Sequence, residues 1–143
     1  MASLFTRIVR RTAPAEIVYE TDKTVAFLDI FPASDGHTLV VPKREVSSFE
    51  DLPAEDLTAL ILAVQEVARG VTRAMGTSHY RLGLNNGSEA GQVVFHVHFH
   101  VIPRFRGTAL HKAPLPPAKG REIGAKIRAA LEELRGAGRH PHA

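Results

Sequence analysis

The sequence predicts an α+β domain built on an antiparallel sheet, and three observations lead there. The apolar pattern runs through several strands, then one long helix, then strands again, which is not the regular strand–helix alternation of a parallel sheet. One helical stripe between Pro53 and Met75 is long and uninterrupted. Late in the chain, His96-Val97-His98-Phe99-His100-Val101-Ile102 alternates histidine with apolar residues, at the two-residue period of a strand.

The elements follow in order. Leu4, Phe5, Ile8 and Val9 suit a short helix over 4–10, ended by Pro14. Residues 16–20 and 24–30 read as two strands around a turn at Asp22. Residues 36–42 read as a third, whose run Thr38-Leu39-Val40-Val41 is too apolar to alternate and suits burial on both faces. The helix over 53–75 carries Leu57, Leu60, Ile61, Val64, Val67, Val71 and Met75, with Pro53 at its start and Gly76 at its stop. Its stripe is wide enough for part of it to serve a dimer. Gly70 weakens its middle by about 1 kcal/mol relative to alanine. Residues 79–84 read as a fourth strand, 85–91 as a loop, and 93–103 as a strand carrying the histidines. Gly, Pro and Lys dissolve the pattern over 104–119, and a terminal helix follows over 122–134. A single domain over 1–135 with a loose tail at 136–143 is expected.

Composition narrows the function classes. The chain has 143 residues, 44% of them hydrophobic, enough for a core. Cysteine is absent, which removes thiolate catalysis, disulfides and cysteine-based zinc motifs. The N-terminus is too short and too charged for a signal-peptide core, and no apolar run reaches membrane-spanning length. A cytoplasmic location without membrane contact is expected. The net charge of +3 is spread over Arg7, Arg10, Arg11, Lys43, Arg44, Arg104 and Arg106 rather than gathered into one stripe, so direct nucleic-acid binding is not expected. Scattered cations also attract phosphate-bearing ligands.

On a strand, the three imidazoles share one face while Val97, Phe99 and Val101 face a core. Three readings compete. The histidines could be structural, but adjacent imidazoles on a packed face need many hydrogen-bond partners. They could hold a metal, although His96 and His100 stand about 13 Å apart at their Cα atoms on a strand; Glu89 is the nearest carboxylate and lies in a loop. Or His98 could act as a nucleophile, with His100 toward a leaving group and His96 orienting the row. Attack requires a neutral ring, and like-charge repulsion within the row favours one.

The surroundings bear on that choice. Asn85-Asn86-Gly87-Ser88-Glu89-Ala90-Gly91-Gln92-Val93-Val94-Phe95 leads into the row, and Pro103-Arg104 follows it. With Asp29-Ile30-Phe31-Pro32, the run from Gly36 to Lys43, and the opening Leu4-Phe5 to Pro14, the chain resembles the histidine-triad (HIT) family of nucleotide hydrolases and transferases over roughly residues 3–104. The resemblance implies a HIT-like fold whose homodimer forms one continuous sheet through the long helix and a strand. It implies a purine nucleotide substrate, cleaved at the α-phosphate through a nucleotidyl-histidine, with no cofactor. It makes His98 the nucleophile and His100 the leaving-group contact, with His96 and His37 completing the cluster. Asn85, Gln92 and the Val93 amide would hold phosphate oxygens, with Gly91 allowing close backbone approach. Asp29 would bind ribose. Phe5, Ile8, Phe27, Ile30 and Leu39 would form the purine pocket; their alternative is ordinary core, and that of Asp29 is a turn.

Two departures matter. Several bacterial relatives carry zinc-binding cysteines near the start, where this chain has Ser3-Leu4-Phe5-Thr6-Arg7, so no metal is expected. The chain also continues well past Arg104, which leaves the leaving group open between a phosphoramidate amine and, as in dinucleoside polyphosphate hydrolases, a second nucleotide. A nucleotide-binding regulatory dimer is the non-enzymatic alternative. His111, His140 and His142 receive no role.

Overall fold

A computed structural model of the chain describes residues 2–137. Five strands form one antiparallel sheet: β1 (Ile17–Glu20), β2 (Thr24–Leu28), β3 (Thr38–Pro42), β4 (Tyr80–Gly83) and β5 (Phe99–Pro103), in the order β1-β2-β3-β5-β4. Three helices complete the α+β architecture: α1 (Leu4–Val9), α2 (Ala54–Met75) and α3 (Pro117–Gly136). Short 3₁₀ turns lie at Phe49–Asp51 and, within the loop read from the sequence at 85–91, at Ser88–Ala90.

The strand period sorts side chains between two cores. Ala26 and Leu28 of β2, Val40 of β3 and Val101 of β5 face α2 and α3, where they pack with Leu60, Val64, Val67, Val71, Ile123 and Ile127. Val25, Phe27, Leu39 and Val41 face the other way, under Phe5 and Ile8 of α1. Both β2 and β3 are buried on both faces, as their unbroken apolar runs require. The β1–β2 turn closes with Thr21 N–H donating to Thr24 O and with a contact between the two hydroxyls. Gly76 ends α2 in a left-handed conformation at φ 69°, the backbone geometry glycine adopts without a Cβ penalty.

Two expectations need correction. The histidine strand does not span 93–103: only Phe99–Pro103 pairs in the sheet. Pro42 ends β3, has no N–H to donate, and gives its carbonyl to the His96 ring. Val97 N–H pairs instead with Val46 O in the loop after β3. The second correction concerns the terminal helix, which begins at Pro117, five residues before the apolar period becomes visible, and runs to Gly136. Proline suits a first turn, and Gly120 and Gly124 pack closely against Leu115 and Glu16, so these glycines mark contacts and not breaks. Of the tail expected at 136–143, residues 138–143 lie outside the described residues.

Gly70 has a packing reason. A Cβ there would stand 2.4 Å from Leu131 Cδ2 of α3. Gly70→Val should therefore destabilise the protein by roughly 1–3 kcal/mol through overpacking, although helix propensity alone predicts a gain of a few tenths. A urea midpoint at or above that of the parent protein would contradict the α2–α3 contact.

Candidate active site

The β3–β5 register places His100 opposite Leu39, on the face turned away from α2. His98 and His96 continue on that face although they precede the ladder. The edge of Phe5 meets both rings, at centroid distances of 5.0 Å to His98 and 5.9 Å to His96. Val97, in contrast, is buried with the α2 core. His98 and His100 stack edge-on at 5.0 Å. His37, just before β3, brings Nε2 to 2.9 Å from His100 Nδ1. His37, distant in sequence, thus joins the row of three in one cluster, and His37, His96 and His98 are buried.

Each ring has partners that fix its tautomer. His98 Nδ1 lies 2.8 Å from the main-chain oxygen of His96. A carbonyl only accepts, so Nδ1 carries the hydrogen and Nε2 keeps its lone pair. Ala33 N–H donates to His37 Nδ1 at 2.9 Å, so His37 is protonated on Nε2 and donates to His100 Nδ1. His100 must then carry its hydrogen on Nε2. His96 Nε2 donates to Pro42 O at 2.7 Å, and its Nδ1 accepts from the Ser3 hydroxyl at 2.8 Å. The arrangement presents a bare nitrogen on His98 beside an N–H on His100.

Electrostatics keeps these rings neutral. Burial pushes His96, His98 and His37 below the ordinary histidine range, because an imidazolium loses hydration there. His100 is pushed down to about 4, first by burial, then by its neighbours His98, His37 and Lys112. The hydrogen-bonded carbonyls of Pro42 and His96, with Asp29 and Glu45, oppose the shift without reversing it.

The other expected residues fall into three groups. Phe5, Ile8, Phe27 and Leu39 are fully buried in the core under α1, whereas Ile30 is 61% exposed and outside it. Asp29 makes a turn through Oδ1, which accepts from Phe31 N–H, and brings Oδ2 to 3.5 Å from His37 Nε2. The loop before the histidines forms the third group. Gly91 adopts φ 99°, which demands glycine, and the space beside it holds the Asn85 amide. Gln92 is buried and staples the loop: its Nε2 donates to Ser47 O and Val94 O, and its Oε1 accepts from Gly87 N–H. Val93 has an exposed side chain, and among the described residues its N–H has no acceptor.

Sequence reading missed two sets of residues. Ser3 and Thr6 both donate to Glu45 Oε1, through the Ser3 N–H and the Thr6 hydroxyl. With Ser3 Oγ on His96, they tie α1 to the histidine row. The Ser3 N–H, followed by the Thr6 hydroxyl, holds the Glu45 carboxyl down at about 2. Ser3 as the cap of α1 was a readable signal; its reach to His96, across 93 positions, was not. The second set, Arg81, Leu110 and Lys112, joins the expected Asn85 in lining a cavity of ≈ 270 Å³ beside His37 and His100. Among the described residues, Asp29, His37 and His100 also bring ligand atoms within 4.8 Å of one another, but a metal there would have to displace the His37–His100 hydrogen bond.

The HIT domain family matches residues 10–107 of this chain. An uncharacterized HIT-like protein of Methanocaldococcus jannaschii is 43% identical over 104 residues, covering 73% of this chain and 80% of its own length. The adenosine 5′-monophosphoramidase of Schizosaccharomyces pombe is 36% identical over 137 residues, covering 90% of this chain and all of its own. Among solved structures, a hypothetical histidine triad nucleotide-binding protein from Sulfolobus tokodaii superposes with TM-score 0.86 at 32% identity, over 92% of this chain and 93% of that one.

The depressed histidines have a thermodynamic consequence. Unfolded histidines bind protons near pH 6.5, while the folded cluster does not. The unfolded state therefore holds more protons as pH falls, and stability declines. Urea midpoints should drop between pH 7 and pH 5, above the range where the carboxylates titrate. The drop should be smaller in His100→Asn, which removes the ring held at about 4. Equal drops in both proteins would contradict the neutral cluster.

Proposed function

The chain belongs to the HIT family, and from that premise we propose that it hydrolyses a purine nucleotide at the α-phosphate through a covalent nucleotidyl-His98 intermediate. The observation that carries this reading is the bare Nε2 of His98, held so by the Nδ1–H bond to His96 O. A nucleotide-binding module has no need of a buried, unprotonated nitrogen beside a ring N–H donor. Kinship with a phosphoramidase supports the reaction class.

In the proposed first step His98 Nε2 bonds to phosphorus as the bond to the leaving group breaks. His100 Nε2–H donates a hydrogen bond to the departing atom, and an amine whose nitrogen is already protonated in the substrate departs neutral. In the second step water attacks phosphorus as the P–Nε2 bond to His98 breaks, one water proton passes to solvent, and the nucleoside monophosphate leaves. The Val93 N–H and the Asn85 amide are free donors for the phosphate oxygens, preorganised for charge that shifts during the reaction. Gln92 acts through the loop it staples. Asp29 binds ribose through the oxygen that its turn leaves available. Ile30, exposed, covers the base from outside, while Phe5, Phe27, Ile8 and Leu39 form the floor.

We also propose a homodimer joined through β4 and the outer side of α2. β4 is a sheet edge bearing exposed Tyr80 and Leu82, and α2 exposes Ile61. Unpaired edges with apolar side chains invite pairing. No helix among the described residues is long and apolar enough to cross a membrane.

His98→Ala should lower turnover of adenosine 5′-phosphoramidate by on the order of 10³-fold or more while retaining AMP binding by calorimetry. Turnover within tenfold of wild type would remove the nucleophile. Sedimentation at micromolar concentration should give twice the chain mass, and a monomer would end the proposed dimer.

A further inference from the structure

The strand ladder begins at Phe99, yet the carbonyl that fixes the His98 tautomer belongs to His96. No ladder holds that residue, and its N–H bonds back to Val94 O. Its ring is its anchor: fully buried, with Nε2–H on Pro42 O and Nδ1 on the Ser3 hydroxyl. Pro42 belongs to β3 and cannot turn away. The Ser3 hydroxyl can rotate, and its one hydrogen has two acceptors in reach, His96 Nδ1 at 2.8 Å and Thr6 Oγ1 at 3.2 Å.

Glu45 decides between these arrangements. An ionised carboxylate only accepts, so the Thr6 hydroxyl gives its hydrogen to Glu45 Oε1 at 2.6 Å. Thr6 Oγ1 also lies 3.4 Å from His96 Nδ1, but it has no second hydrogen to offer. Ser3 therefore supplies the donor that the buried Nδ1 requires. Glu45 Oε1 also accepts from Ser3 N–H at 2.7 Å, which fixes the main chain that carries this hydroxyl. Arg10 and Lys43 line the same surface cavity of ≈ 370 Å³ as Thr6 and Glu45, and the Ser3 and Thr6 donors hold the carboxyl at about 2, so Glu45 stays ionised near neutrality. Ser3, Thr6 and Glu45 do not line the cavity at His100.

We propose that Glu45 is a positioning residue for the nucleophile, acting through Thr6 and Ser3 on His96, and through the His96 carbonyl on His98 Nδ1–H. This rests on the α-phosphate reading above. Without the carboxylate, the Thr6 hydroxyl is free to turn to Ser3 Oγ or His96 Nδ1, and the single arrangement is lost. A His98 ring whose Nδ1 partner drifts can carry its hydrogen on Nε2, which then has no lone pair for phosphorus. The ground-state contacts of the substrate do not depend on that exchange, so the loss falls on kcat. If Glu45 only fastened α1, its removal would instead shift Phe5 and Ile8 beneath the base, raise KM and leave the His98 tautomer intact.

The test measures kcat and KM for adenosine 5′-phosphoramidate in Glu45→Ala, Ser3→Ala, the double variant and Glu45→Gln, with urea midpoints to confirm folded protein. Each alanine variant should lose about tenfold in kcat at nearly constant KM. The double variant should lose no more than either alone, because both changes interrupt one chain of bonds. Glu45→Gln keeps an oxygen that accepts from the Ser3 N–H and the Thr6 hydroxyl, and should regain most of the loss. Ring ¹⁵N shifts should show mixed His98 tautomers in both alanine variants and the Nδ1-protonated form again in Glu45→Gln. Multiplied losses in the double variant, a change in KM alone, or an unmixed Nδ1–H tautomer in Ser3→Ala would overturn the positioning role. Mixed tautomers as predicted, with no turnover by wild type, would end the α-phosphate reading and leave the control of His98 by Glu45 in place.

Discussion

One hydrogen bond organises the site: His98 Nδ1–H to the carbonyl of His96, two residues earlier in the same chain. Because the acceptor is backbone, its polarity cannot change with pH or rotamer. The bond commits the hydrogen to one nitrogen and the lone pair to the other. A second relay, from Ala33 N–H through His37 to His100, commits the neighbouring ring the opposite way. Nucleophile and donor therefore differ only in which nitrogen the surrounding backbone has occupied.

The rest of the fold serves that pair. β3 and β5 set the register of His100, and Pro42 ends the ladder where the histidine row must leave it. The departing segment bends so that His96 can offer its ring to Pro42 O and its own carbonyl to His98. α1 is short and marginal alone, yet Phe5 lies against the His96 and His98 rings and Ser3 also holds the first of them. Glu45 joins that helix to the loop after β3. Packing of apolar residues under α1 is thus coupled to the orientation of polar ones above it.

The sequence carried much of this, unevenly. The two-residue period of His96 to Val101 gave the correct face for every side chain, even where no ladder exists: Val97 and Val101 lie in the α2 core and Phe99 packs against it, while the three rings face away. α2 was legible from its stripe and its stop. The limit of β5 was not, since it depends on which atoms Pro42 leaves available in a distant strand. Arg81, Leu110 and Lys112 were invisible as a set because strand register and the return path of residues 108–116 decide their meeting, and neither has a local signature. Ile30 was grouped with the apolar pocket by its residue type, but it follows β2 at a turn where the chain leaves the core.

Ring ¹⁵N chemical shifts, recorded by long-range ¹H–¹⁵N correlation on the ligand-free protein between pH 6 and pH 8, report directly where each imidazole carries its hydrogen. The structure predicts His98 as the neutral tautomer protonated on Nδ1 and His100 as the neutral tautomer protonated on Nε2 across that range. His98 protonated on Nε2, or charged near neutrality, would contradict the account of the nucleophile.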